Sequence, residues 1–279
     1  MNPSSKRESF IRKTREAVHE ALQSRDMLIA NVQRSIDELT GVKNALGERL
    51  EEWYAVYFPE LKLDDKAKFA QFVSVFDKKG DRQPIEKIVG VKKASELMEL
   101  VSKSLGADIN DNDLEKCKSL AKEIVNLDNL ISEYEKYQEE LCQEICPNIS
   151  TVAGAAIAAK LISHVGSLSK LSLLPASTIQ VLGAEKALFK HLKNKRIDPP
   201  KHGIIFQHVY ISSSPKVVRG KIARALANKI TLAAKADAFT KRFIAEDLKK
   251  DLEKRYNEVM EQYKKNKAVE RPADRGAEE

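Results

Sequence analysis

What this chain has little of narrows its identity first. Its 279 residues include 3 cysteines, too few for the disulfide framework of a small secreted domain. Cys142 and Cys146 stand one helical turn apart but lack the further ligands of a zinc site, so reduced, semi-buried thiols in an intracellular protein are expected. With 11 glycines and 9 prolines, the chain has little material for a many-turned β protein. Aromatic residues make up 6%. The longest weakly polar stretch, from Ile145 to Val165, is interrupted by Lys160 and His164, which points to a packed helix and not a membrane span. The N-terminal MNPSSKRESFIRKTR lacks the apolar core of a secretory signal.

Catalytic groupings are equally sparse. The histidines (His19, His164, His191, His202, His208) fall at no spacing that makes a metal site or a triad. No phosphate-cradling P-loop, dinucleotide-binding glycine motif or nucleophile elbow is present. No enzyme activity, cofactor or metal is expected.

Charge is plentiful, at 32% of residues, and its distribution is uneven. The net charge is +7 overall, yet residues 1–150 sum to −5, residues 151–245 to +13 and residues 246–279 to −1. A central block that basic is the electrostatic footprint of a polyanion binder, nucleic acid first.

Hydrophobic spacing predicts an all-α chain. Ile29, Val32, Ile36, Leu39, Lys43, Leu46, Leu50, Trp53 and Tyr57 alternate steps of three and four, the seam of a heptad helix. Lys43 is its polar member, with Val42 beside it as an alternative core residue. Phe58-Pro59 ends it. A second seam follows Leu114, Cys117, Ala121, Ile124, Leu127, Ile131, Tyr134, Leu141 and Ile145, with a polar lapse at Gln138 and a stop at Pro147. Two such helices, at 28–57 and 113–146, predict an antiparallel coiled-coil hairpin over residues 1–147, with 58–112 as its helical tip. A coiled coil formed between chains is the alternative, and both can apply.

From residue 148 to 263 a second, helical domain is expected, followed by a charged flexible tail over 264–279. Within it, Pro175–Gly183 reads as a loop, and Ala184–Lys195 as a helix with Lys186, Lys190 and Lys193 on one face and Phe189 and Leu192 as its anchors. The Pro- and Gly-held stretch around Lys201, His202, Phe206, Gln207 and His208 reads as an ordered loop with a short extended piece at 204–206. It can present an aromatic to an exposed base, or simply seat Ile204, Ile205 and Phe206 in the core with the histidines at the rim. A strong helix from Lys216 to Asp237 carries Lys221, Arg224, Asn228, Thr231 and Lys235 opposite its apolar stripe, while Lys229 lies near that stripe as a snorkelling or paired lysine.

Three stretches within this second domain, LPASTIQVLGAEKALFKHLK, PPKHGIIFQHVY and RGKIARALANKITLAAKADAF, resemble the Nop domain of archaeal box C/D ribonucleoprotein scaffolds and their nucleolar and spliceosomal relatives. The earlier ERLEEWYAVYFPEL resembles that family's coiled-coil domain. The resemblance implies a non-catalytic scaffold. It recognises a composite surface made by a kink-turn RNA and a small ribosomal-protein-like subunit bound to it, and self-associates through the coiled coil. It points to Gly183, Glu185, Lys186, Lys190, His191, Lys201 and His202 as contact residues, with Arg219, Lys221 and Arg224 weaker; Lys193 joins them from the helix face. The dimer seam is read as Ile29, Val32, Ile36, Leu39, Leu46, Leu50, Ile124, Leu127, Ile131 and Leu141.

Family scaffolds carry a globular domain ahead of the coiled coil that holds the methyltransferase fibrillarin. Here about 25 residues precede the first heptad, too few for such a domain. The chain is then expected to be a trimmed form, a short paralogue or half of a split scaffold. Fibrillarin is expected to be met only indirectly or through that missing domain. A role in RNA-guided rRNA methylation or in ribonucleoprotein assembly follows, in the cytoplasm of an archaeon or the nucleolus of a eukaryote. A spliceosome-like assembly factor and a coiled-coil adaptor for acidic proteins are the alternatives.

Overall fold

The computed structural model describes residues 3–23, 25–76, 83–107 and 109–270. Among them there is no strand, in line with the all-α expectation. The chain divides into two compact units, residues 1–34 with 137–279 and residues 35–136. Both divisions fall inside the long helices, not at the boundary near residue 147 expected from composition.

The helix α1 (Pro3–Gln23) comes first, in a stretch for which no element had been expected. The two long helices, α2 (Asp26–Tyr54) and α6 (Asp111–Ile145), match the heptad readings to within three residues at each end. Of the seam, Ile29, Ile36, Leu50, Ile124, Ile131 and Leu141 are buried, and Val32, Leu39, Leu46 and Leu127 are half-buried. Trp53 is exposed and Tyr54 fully buried, a correction to the seam's end. A straight helix lags about 20° per heptad, so by the fourth repeat the next residue has rotated into the interface.

Lys43 keeps its seam position by donating to Asp128 Oδ1 at 2.8 Å, while Val42 faces solvent. The lapse at Gln138 is likewise resolved by pairing, since its amide Nε2 donates to Gln33 Oε1 at 3.1 Å with both residues buried.

Residues 35–136 gather six aromatic rings into one core. Tyr54, Tyr57 and Phe58 meet Phe69, Phe72 and Phe76 of and beside α3 (Lys66–Val75). Phe72 and Phe76 stack at 4.7 Å, and Tyr54 meets Phe69 edge-on at 6.1 Å. Each ring buried this way is worth about 1.5–3 kcal/mol of hydrophobic transfer. The helices α4 (Gln83–Val89) and α5 (Val91–Ser102) complete this unit, in line with the helical tip expected over 58–112.

The other unit is a bundle around α13 (Arg219–Lys235), whose Ile222, Ala223, Leu226, Ala227, Ile230 and Ala233 are all buried. Against it lie α7 (Pro147–Ala153), α9 (Leu168–Leu173), α10 (Ala176–Val181) and α14 (Ala245–Glu270). The helix α8 (Ala155–Val165) buries Ile157, Ala158, Ala159, Leu161 and Ile162, so the apolar run Ile145–Val165 forms packed helices. Small alanines let helix axes approach closely here.

The expected loop 175–183 is mostly the helix α10, and the expected extended piece is a 3-10 turn, Ile204–Gln207. The helix α14 continues to Glu270, so residues 264–270 of the expected tail are helical; 271–279 lie outside the described residues. All three cysteines are buried and unbridged. Among the described residues, no helix is long and apolar enough to cross a membrane.

Where α13 passes through a short π turn (Ala236–Thr240) toward α14, Asp237 reaches back to the start of α7. Its Oδ1 accepts from the Asn148 amide at 3.1 Å and from Asn148 Nδ2 at 2.6 Å, and its Oδ2 from the Ile149 amide at 3.0 Å. The carboxylate caps α7 from a distance in sequence of nearly ninety residues.

Candidate nucleic-acid interface

The turn between α10 and α11 (Glu185–Lys193) is the first part of the site. Gly183 sits at φ +85°, where a Cβ would also come within 2.6 Å of Ile204 Cγ1. Its amide donates to Glu185 Oε1 at 2.7 Å, and the same oxygen meets His164 Nε2 at 2.8 Å. Partial burial opposes ionisation of Glu185, but the Gly183 amide, its own amide and His164 together hold its pKa below the ordinary value. Glu185 therefore braces the turn, with its side chain still 43% exposed.

The stretch 199–207 is stitched to that turn. The Gly203 amide donates to Gln180 O at 3.0 Å, the Ile204 amide to Leu182 O at 2.8 Å, and Gln180 Nε2 to Lys201 O at 2.8 Å. Gly203 has to be glycine, because a Cβ there would stand 1.9 Å from Leu182 O. On the other side, Gly220 at the start of α13 leaves space along the Lys201 side-chain stem. Gly183, Glu185, Lys201, His202, Arg219 and Lys221 are thus drawn into one neighbourhood from three separate segments.

Inside it lies a layered stack. The His202 ring stacks on Phe206 at 4.5 Å and 16°, and the Arg219 guanidinium lies 5.2 Å from the same ring's centre. Arg219 also donates to Ser214 O at 2.8 Å and Ser212 O at 3.2 Å. Phe206 is therefore occupied on its own protein's account and is not a free platform for a base. Burial, with the charges of Arg219 and Lys201, lowers the His202 pKa and so disfavours the charged ring. Of the residues beside the stack, Ile205 is fully buried, and His208 caps α12 (Val209–Ser212) by accepting from the Tyr210 amide at 3.2 Å. Burial also lowers the His208 pKa, despite Val152. These are the packing roles left open above for this loop.

The helix α11 behaves differently from every neighbour: none of its residues is buried. Lys186, Lys190 and Lys193 are exposed, as expected, but so are Phe189 at 61% and Leu192 at 53%, which had been expected as anchors. The helix's N-terminal turn is braced by Glu185, and at its far end His191 Nδ1 meets Ile197 O. Its apolar and cationic side chains are thus both exposed. On α13, Lys221 and Arg224 are exposed with Asn228 and Lys235, whereas Thr231 is buried and donates to Ala227 O. Lys229 is paired with Asp251 Oδ2 at 2.8 Å, the second of the two roles expected for it.

Sequence reasoning missed the exposure of Phe189 and Leu192, because an amphipathic helix ordinarily buries its apolar face. It also missed that Lys254 and Arg255 of α14, outside the basic block, line a groove with Lys221 and Arg224. Among the described residues no group of three or more His, Cys, Asp or Glu is arranged to hold a metal ion.

Comparison with known proteins identifies relatives of this chain. Residues 35–258 match the family described as "Nop: snoRNA binding domain, fibrillarin". An uncharacterized NOP5 family protein of Methanocaldococcus jannaschii is 41% identical over 256 residues, covering 90% of this chain and 61% of that protein. Nucleolar protein 56 of Bos taurus is 34% identical over 268 residues, covering 91% of this chain and 44% of that protein. The chain thus spans between two fifths and two thirds of these relatives' length. A chain of the crystal structure of a fibrillarin/Nop5p complex superposes with a TM-score of 0.54 at 28% identity, covering 90% of this chain and 78% of that one.

Proposed function

The chain belongs to the Nop family, and on that footing we propose that it is a non-catalytic ribonucleoprotein scaffold that binds RNA and protein together. Its partner is a kink-turn RNA of the box C/D kind with a small ribosomal-protein-like subunit already in place. The observation that carries this is α11, which leaves three lysines and two large apolar side chains exposed on one short helix while its N-terminal turn is braced by Glu185. Lysines alone suit phosphates; exposed Phe189 and Leu192 beside them suit a surface that is part RNA and part protein.

In this reading, residues 148–263 make the composite contact, with Lys186, Lys190, Lys193 and Lys201 as phosphate ligands. Gly183, Glu185, His202 and Arg219 hold the shape that presents them. The hairpin of α2 and α6 supports self-association, so that one assembly carries two such modules. The named complex of a structural relative brings fibrillarin in as a partner of that assembly, and RNA-guided 2′-O-methylation of rRNA or its assembly as the setting. In a eukaryotic cell that places the chain in the nucleolus, as the nucleolar relatives suggest, and in an archaeon in the cytoplasm.

Size-exclusion with light scattering tests both halves. A self-associated chain that takes up the RNA–subunit complex is expected; a monomer that ignores the complex refutes the proposal.

A further inference from the structure

An open groove of about 480 Å³ runs between α13 and α14. Lys221, Arg224 and Asn228 line it from α13, and Lys254 and Arg255 from α14. All five are exposed. The groove's acids are engaged within it: Lys229 holds Asp251 at 2.8 Å, and Arg255 donates to Glu258 Oε2 at 2.9 Å. Among the described residues, Lys221, Arg224 and Lys254 join no ion pair, so the excess of cations over acids is unbalanced.

Three features say what such a groove takes. Its apolar lining is limited to Ala225 and a half-exposed Leu232, and no aromatic lines it. Protein partners concentrate their binding energy on aromatic anchors, and this groove supplies none. Its length suits a backbone: Lys221 to Asn228 rises about 10 Å along α13, the reach of two to three phosphates of one strand. Its position continues the interface, because Lys221 follows directly on Arg219 and Gly220 beside Lys201.

We infer that the α13/α14 groove is a second, sequence-independent site for the phosphodiester backbone of nucleic acid. Lys221, Arg224 and Lys254 are its phosphate ligands, and the Asn228 amide is the neutral hydrogen-bonding group beside them. The site extends the RNA-binding reading given above, adding α14 to a surface that composition had confined to residues 151–245. Neutralising each phosphate releases counterions, so the groove adds affinity that fades with salt.

The test uses the full chain and a plain RNA duplex about 16 base pairs long, with no kink-turn and no small subunit. Binding is measured by fluorescence anisotropy over a salt series. Lys254→Ala is expected to weaken binding several-fold and to make the log–log salt slope shallower by about 1, Lys254→Glu to weaken it further, and Lys254→Arg to leave both near wild type. Lys254 is exposed on a helix surface, so these changes leave the core intact. Unchanged affinity and slope in Lys254→Ala and Lys254→Glu overturn the inference, as does a wild-type chain that ignores the duplex. Displacement of the duplex by polyglutamate at lower charge concentration than by a second RNA also overturns it, in favour of an acidic protein. Because the probe lacks both kink-turn and subunit, the outcome is independent of whether the composite contact on α11 forms.

Discussion

Glu185 accepts a 2.7 Å hydrogen bond from the Gly183 amide, so the acid of the GAEK motif closes the turn that launches α11. His164 meets the same carboxylate oxygen from α8, tying the turn to the bundle. Replacing Glu185 by Ala is expected to cost about 0.5–1 kcal/mol, the value of a partly solvated charged hydrogen bond after allowance for screening. Because the folded pKa of Glu185 lies below its unfolded value of 4.5, this stability is fully present above that value and is lost as pH falls through the folded pKa. Thermal melts of wild type and Glu185→Gln should therefore converge in acid. Equal separation at every pH refutes the clamp.

Gly203 offers the sharper steric case. A methyl group there stands 1.9 Å from Leu182 O, a backbone atom held by the Ile204 amide. Gly203→Ala is expected to lower stability by about 3 kcal/mol or to detach the 199–207 stretch, while Gly183→Ala costs about 1–2 kcal/mol through its positive φ and its contact with Ile204. Chemical denaturation reads both. A wild-type midpoint for Gly203→Ala contradicts the close approach.

Asp237 accepts three hydrogen bonds from Asn148 and Ile149, yet burial dominates and raises its pKa above the usual aspartate value. Folding then favours the protonated form. The titration adds stability below the unfolded pKa of about 3.8 and withdraws it as pH rises through the folded one. Asp237→Ala strands buried donors and should cost about 3 kcal/mol. Asp237→Asn keeps the Oδ1 acceptor, costs less, and removes the pH dependence. A pH-stability profile of the Asn variant that parallels wild type contradicts this assignment.

The buried Gln33–Gln138 bond makes a further prediction. A single Leu substitution at either position deprives the other amide of this partner at a cost of about 1–3 kcal/mol, whereas the double Leu variant should lie closer to wild type. A double-mutant cycle showing simple additivity rules the coupling out.

The legible part of this fold was the part set by periodicity and charge. Seams of apolar residues located α2 and α6 because a heptad pattern has few other solutions. The basic block and its motifs located α11 and α13. What stayed hidden depends on contacts distant in sequence. No local pattern says that Phe206 meets both His202 and Arg219, that Glu185 pairs with the Gly183 amide and His164, or that Lys254 joins Lys221 across a groove. The exposure of Phe189 and Leu192 was hidden for a related reason, since a partner face and a core face read alike in sequence.

Filter binding of kink-turn RNA, with and without its small subunit, across a salt series is the most direct measurement of the composite contact. The chain should bind the RNA–subunit complex at least tenfold more tightly than the bare RNA, a difference of about 1.4 kcal/mol or more. Lys186→Ala with Lys190→Ala should make the log–log salt slope shallower by about 2, while Phe189→Ala should erase the subunit's benefit and leave the slope in place. Equal affinity for bare RNA and complex, or a slope unmoved by removing both lysines, contradicts the account.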